Sequence, residues 1–139
     1  MPPRPDMSGA PIADSVVEMM ATDAFSSYLG MRVLRARDGQ ALVGLAVTPE
    51  LVNGHGIAHG GVVFSLADTA FACACNSFGS ATVGAGAEIT FVAQALVGDE
   101  LTAEAVLRTQ FGRTGIYDVT VRRGADVIAE FRGRSHRLT

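Results

Sequence analysis

The segment NGHGIAHGGVVFSLADTAFACACNSFG, residues 53–79, sets one carboxylate, Asp68, near the middle of an almost wholly apolar helical pattern, directly after a loop rich in glycine and histidine. Taking an ionised carboxylate out of water costs several kcal/mol unless partners compensate. Such a group is therefore either bonded to neighbouring polar side chains, here Ser65, Thr69 or Asn76, or it works as an acid, base or nucleophile. The loop supplies complementary chemistry. Gly54, Gly56, Gly60 and Gly61 surround His55 and His59, so the backbone can bend sharply and lead into a helix whose first amides lack internal partners. An amide at Gly60 or Gly61 can hold a carbonyl oxygen that turns negative during acyl transfer, an effect worth about 3 kcal/mol.

Spacing constrains how the two features cooperate. Gly60 and Asp68 are eight residues apart, which is ~12 Å along a helix at ~1.5 Å per residue. A reacting carbon must lie ~3 Å from both the oxygen donor and the attacking group. One chain does not easily supply both. Two antiparallel copies of the helix about a two-fold axis bring Gly60 of one chain to Asp68 of the other, so the spacing points to a homodimer with composite sites. On a helical wheel Asp68, Ser65, Ala72, Asn76 and Thr69 share one arc, and apolar residues fill the rest. The helix is expected to be enclosed on most sides, its polar seam facing a cavity or a partner chain.

Other chemistries fit the residues less well. His55 and His59 have the spacing of a helical zinc pair, but the flanking glycines oppose a helix there and the Glu of the zinc-protease signature is missing. Ser65 lacks a Gly-x-Ser-x-Gly elbow. Cys73 and Cys75 sit two apart on the helix, pointing in different directions, and read as small core residues. Glu88 falls in a strand pattern and His136 near the C-terminus, both read as surface or paired groups. The tract GRTG at 112–115 is too short for a phosphate loop of the Walker kind, although its Arg113 can meet a phosphate as a local positive charge.

The elements that must position these groups follow from periodicity. Residues 13–28 have helical spacing, as one helix or two short ones, with Gly30 as a stop. RVLRARDGQALVGLAV alternates on both sides of Asp38-Gly39, predicting a hairpin. After the long helix over 59–78, four alternating segments separated by glycine-containing turns predict an antiparallel run of strands. The class is α+β, a curved sheet laid over a helix. With 139 residues, 48% hydrophobic and 18% charged, the chain has the makings of a single domain over 13–139, preceded by a flexible arm at 1–12. A net charge of −3 and a pI near 5.5 give no basic footprint for nucleic acid or an anionic membrane. No apolar run has signal-peptide or membrane-span form, so the expected location is cytoplasmic.

The helix segment, with its His-Gly-Gly, Leu-Ala-Asp and Ala-Cys-Asn-Ser parts in register, together with RTGIYDVTV and FRGRSHR, resembles the phenylacetic acid degradation thioesterases of the hotdog-fold superfamily. The resemblance implies a long central helix wrapped by a curved antiparallel sheet, in dimers with a continuous sheet, doubled into tetramers. It implies hydrolysis of acyl-CoA thioesters, with phenylacetyl-CoA and its ring-hydroxylated relatives as substrates, and no metal or cofactor. By position, Asp68 matches the family's catalytic carboxylate, as general base or nucleophile. Gly60 matches the backbone donor to the thioester carbonyl, Asn53 a residue that orients substrate or water, and His59 and Thr69 supporting residues. Arg113, Gly115 and Arg134 are the candidate coenzyme A contacts, and Phe64 and Phe71 the aromatics nearest the acyl group. Two other classes share these features, a hotdog enoyl-CoA hydratase or dehydratase and a non-catalytic acyl-CoA sensor.

Overall fold

The computed structural model describes residues 11–139. Most of the expected arm, residues 1–10, lies outside the described residues. Its last two residues are not loose. Ile12 forms a parallel bridge with Ala36, and the carbonyl of Pro11 accepts the Ala36 amide at 2.9 Å.

Residues 13–28 resolve into two helices, α1 (Asp14–Ala21) and α2 (Ala24–Leu29), because Asp23 ends the first region and caps the second. Its carboxylate accepts the Ser26 amide at 2.9 Å, a side-chain cap of the ordinary kind. Gly30, at φ 82°, closes α2 in the left-handed region. Strands β1 (Arg32–Arg37) and β2 (Gln40–Ala46) form the expected hairpin, and Asp38 and Gly39 both take positive φ, 55° and 78°, as a two-residue turn between twisted strands requires. A short 3-10 turn, Pro49–Leu51, then leads to the loop and to the long helix α3 (Gly60–Asn76). The remaining strands are β3 (Thr82–Phe91), β4 (Glu100–Phe111), β5 (Thr114–Arg123) and β6 (Asp126–Arg137).

All six strands form one antiparallel sheet in the order β1-β2-β4-β5-β6-β3, open rather than closed, with α3 lying across one face. This is the hotdog arrangement expected from the resemblance. The alternation read from the sequence places Val119 and Val121 of β5, Leu101, Ala103 and Ala105 of β4, and Phe131 of β6 on the inner face. They meet Leu66, Ala67, Ala70, Phe71, Cys73 and Ala74 of α3. The small residues of α3 let the sheet approach closely. Glycine makes room where a large residue intrudes: a Cβ on Gly133 would stand 2.9 Å from two atoms of the Phe71 ring, and one on Gly84 would stand 3.3 Å away.

Asn76 joins the end of α3 to the outer strand. Its amide nitrogen donates to the Thr82 carbonyl at 2.9 Å, and its oxygen accepts the Thr82 amide at 3.0 Å. One side chain thus holds both main-chain groups of the first residue of β3. No helix among the described residues is long and apolar enough to cross a membrane.

Candidate active site

The helix wheel puts Asp68 in company that the structure divides. Ser65 Oγ donates to the Gly61 carbonyl at 2.7 Å, Asn76 is engaged with Thr82, and Thr69 turns inward, its hydroxyl 3.2 Å from that of Ser26. Each neighbour proposed as a structural partner for the carboxylate is therefore committed elsewhere. Among the described residues Asp68 has no hydrogen bond or ion pair, and it is exposed on the surface of the chain. The polar seam of α3 is thus the side that its own chain leaves open. One long face of α3, carrying Gly61, Ser65, Asp68 and Ala72, is left uncovered, because the single sheet and the two short helices surround only the other sides. Exposure does not mean full hydration. Partial burial by the surrounding protein lifts the Asp68 pKa above its ordinary value, since nothing compensates the ionised form.

At the start of α3 the structure decides between two amides. His59 is the N-cap, and its Nδ1 accepts the Gly61 amide at 2.8 Å. That contact fixes the proton of a neutral imidazole on Nε2. The Val62 and Val63 amides go to the His59 carbonyl at 2.9 and 3.2 Å. The Gly60 amide is left without a partner among the described residues. A helix that begins Gly-Gly after a histidine cap thus presents one free donor, at the first position, where the helix dipole favours negative charge.

Asn53 shapes the approach to this donor. Its Oδ1 accepts the His55 amide at 2.9 Å and the Ile57 amide at 3.4 Å, folding the loop over itself. Its side-chain nitrogen remains available. Asn53 and Gly60 both border a cavity of about 300 Å³ with Phe91, Ala95 and Ile128. Asn53, His59 and Gly60 are therefore brought together, whereas Asp68 lies about two turns further along the helix. Thr69, which follows Asp68 in the chain, turns its side chain inward. It is buried and anchors α2 through Ser26, whose hydroxyl also donates to Asp23 at 2.7 Å.

The aromatic assignments change as well. Phe71 is buried in the core, its ring centroid 5.5 Å from that of Tyr117 and 5.9 Å from that of Phe131. Phe64 packs edge-on against Phe131 at 5.4 Å. Both belong to the helix–sheet interface. The candidate coenzyme A contacts also separate. Arg113 and Gly115 line a polar cavity of about 340 Å³ at the C-terminal end of α3, where they are joined by Arg137 and Ser135. Arg134, on the opposite face of β6, reaches the Ala85 carbonyl at 3.3 Å and lines a different cavity. Strand alternation could have found Arg137, which shares a face with Ser135 and not with Arg134. Gly115 is needed by packing, since a Cβ there would be 2.8 Å from Ser135 Oγ.

Both cysteines are free and buried, and burial pushes their thiols up to about 12, far from thiolate at neutral pH. Among the described residues no three His, Cys, Asp or Glu side chains cluster as metal ligands. Two turns along α3 from the free amide, Asp68 carries a carboxylate with no partner among the described residues.

Comparison with known proteins agrees with this fold. The sequence profile of the Thioesterase superfamily matches residues 55–130, spanning the glycine loop, α3 and most of the sheet. This chain belongs to the thioesterase superfamily. Within that family it is 45% identical over 121 residues to acyl-coenzyme A thioesterase PaaI of Escherichia coli, covering 86% of each chain. It is 35% identical over 121 residues to a putative esterase of Archaeoglobus fulgidus, covering 86% of this chain and 79% of the relative. The solved structure of the E. coli PaaI protein from the phenylacetic acid degradation operon superposes with a TM-score of 0.87 at 42% identity, covering 90% of this chain and 91% of that one. The thioesterase family expected from the helix motif is therefore the observed one, and so is the hotdog fold.

Proposed function

We infer that the chain hydrolyses acyl-coenzyme A thioesters, with aromatic acyl groups such as phenylacetyl and hydroxyphenylacetyl as its preferred substrates. The observation that carries the reading is a pair of groups on α3 without partners among the described residues: the Gly60 amide and the Asp68 carboxylate. A thioester expels its thiolate readily, so one base or nucleophile and one oxygen donor suffice, without metal or cofactor. The Gly60 amide holds the carbonyl oxygen as it becomes negative. Asp68, its charged form raised in energy by partial desolvation, activates water or attacks the carbonyl.

The ~12 Å between them along one helix is resolved by a homodimer in which each site takes Gly60 from one subunit and Asp68 from the other. The uncovered face of α3 and the open edge strand β3 are the surfaces such a dimer uses, and pairing of two dimers makes a tetramer. Arg113 and Arg137, with no ion pair among the described residues, suit the phosphates of coenzyme A. Similarity to the E. coli thioesterase supports the substrate class.

Release of free thiol from a panel of acyl-CoA thioesters tests the reaction. Loss of most hydrolysis in Asp68→Asn is the expected result. Loss of enoyl absorbance without thiol release marks a hydratase, and binding without turnover marks a sensor. Mixing Asp68→Asn with Gly60→Pro, which removes the amide at a position where proline is compatible with a helix, regenerates intact composite sites. No recovery in the mixture overturns the shared-site geometry.

A further inference from the structure

The turn ahead of α3 holds a chemical pairing that hydrolysis does not use. Asn53 and Asn76 are the asparagines of this chain, and only Asn53 precedes a glycine; Asp38-Gly39 is the corresponding Asp-Gly pair. At such positions the amide nitrogen of the next residue can attack the side-chain carbonyl carbon and close a five-membered imide, provided that the nitrogen is free and the backbone can turn. The structure separates the three. The Gly39 amide donates to Ser77 Oγ at 2.9 Å, and the Ser77 amide donates to the Ala74 carbonyl at 3.3 Å at the end of α3. The Asn76 side-chain nitrogen is held as well, donating to the carbonyls of Ala72 and Thr82 at 2.9 Å each. The Gly54 amide has no partner among the described residues.

Asn53 is also the one whose side chain is activated for attack. Its Oδ1 already accepts the His55 and Ile57 amides, so the negative charge that gathers on this oxygen when the carbon is attacked has two donors in place. Its nitrogen, the leaving group, has no acceptor among the described residues. Gly54 is exposed and has no side chain to crowd the approach.

We propose that Asn53-Gly54 is a site of spontaneous deamidation in the folded chain, and that conversion of Asn53 silences hydrolysis. The Gly54 nitrogen gives its proton to solvent base and bonds to Asn53 Cγ; the Cγ–Nδ2 bond breaks and ammonia leaves, taking a proton back from solvent. Water then opens the imide. Addition at Cγ leaves aspartate, whereas addition at the main-chain carbonyl leaves isoaspartate, with the chain routed through the side chain. The net change is one water taken up and one ammonia lost, with no oxidant or reductant. Asn53 shares its cavity with Gly60. Aspartate there sets a negative charge near the donor that must receive a developing anion, which opposes the reaction. Isoaspartate lengthens the main chain within a loop closed by the Val52–Ala58 bridge and by the Asn53 amide, which donates to the Ile57 carbonyl at 2.8 Å, and so displaces the entry to α3. The modification stands apart from the thioesterase reading, and the loss of hydrolysis rests on it.

The test is storage of the full chain at alkaline pH, where the attacking amide loses its proton more readily, with storage at mildly acid pH beside it. Peptide mapping by tandem mass spectrometry resolves positions 38, 53 and 76, enzymatic methylation scores isoaspartate, and thiol release from phenylacetyl-CoA is measured on the same samples. The expected result is progressive conversion of Asn53 from amide to acid, faster at alkaline pH, with a matching fractional loss of kcat. Asp38 and Asn76 stay intact until urea unfolds the chain and frees the Gly39 and Ser77 amides. Gly54→Ala keeps the fold, checked by thermal melting, because its φ lies outside the left-handed region and a Cβ there meets nothing within 4 Å. The added methyl hinders ring closure, so this variant loses most of the conversion and holds its own starting rate through storage. Freshly made Asn53→Asp, which reproduces one product, has a lowered kcat/KM. An amide that persists at Asn53, or conversion at Asn76 that keeps pace with it in the folded chain, overturns the site. Conversion without loss of rate overturns the silencing. A fresh wild-type chain that releases no thiol overturns the thioesterase reading, and the mass readout still decides the site.

Discussion

His59 Nδ1 accepts the amide of Gly61 at 2.8 Å, across a single intervening residue. The bond uses up the second amide of α3 and leaves the first, so an imidazole selects which donor faces a ligand. Replacing His59 by Ala removes the cap and costs about 1 kcal/mol, a fall of a few degrees in Tm. His59→Asn keeps a side-chain oxygen at the cap and recovers most of that stability. Thermal melts of the two variants check this. An unchanged Tm in His59→Ala would mean that the cap adds nothing.

Asp68→Asn separates activity from stability. The carboxylate has no partner among the described residues and its pKa is raised, so the ionised form is disfavoured in the folded chain. At pH values above the unfolded pKa this penalty opposes folding, and the amide removes it. Turnover is expected to drop about 100- to 10,000-fold, while the denaturant midpoint stays level or rises. A large loss of stability contradicts the absence of partners.

The same shift sets a pH profile. Whether Asp68 is base or nucleophile, its deprotonated form is the active one. Activity then climbs with pH through a midpoint displaced upward from the ordinary aspartate value, by partial burial. The residual activity of Asp68→Asn lacks this limb. Initial rates across the acid range, in a buffer series of constant ionic strength, decide the matter.

Much of this architecture was legible in the chain itself. Asp38-Gly39 marked the hairpin because few residue pairs tolerate two positive φ values, and the apolar run over 59–78 could pack only as a long helix. The glycine loop and Asp68 stood out by chemistry. What the wheel could not separate were Asp68 and Thr69, adjacent in sequence and 100° apart, of which one faces outward and the other meets Ser26. Phe64 and Phe71 misled because nearness along the helix says nothing of side, and the glycines that seat Phe71 lie on strands far off in sequence.

The Asp23–Ser26–Thr69 chain carries its own expectation. Ser26→Ala leaves a buried Thr69 hydroxyl without its partner, and Thr69→Val does the reverse, each costing about 1–3 kcal/mol. The double variant costs less than the sum, since both orphaned groups are gone. Urea titrations of the four proteins measure the coupling, and strict additivity argues against the contact.

Gly133→Ala brings a methyl to within 2.9 Å of a ring that is buried on every side. Phe71 cannot swing away without disturbing Tyr117 and Phe131, so a loss of about 1–3 kcal/mol is expected. Adding Phe71→Leu to Gly133→Ala restores part of it. Chemical denaturation of the single and double variants is the check.

Asn76, by gripping both main-chain groups of Thr82, does more than close a corner. The strand it starts reads Thr-Val-Gly-Ala-Gly-Ala, with little side-chain bulk to stop it slipping against its neighbour. A shift of one residue there would exchange the two surfaces of the strand. The amide acts as a peg in that sliding joint: the outermost rim keeps one alignment, and any strand arriving beside it meets the same fixed row of main-chain donors and acceptors every time.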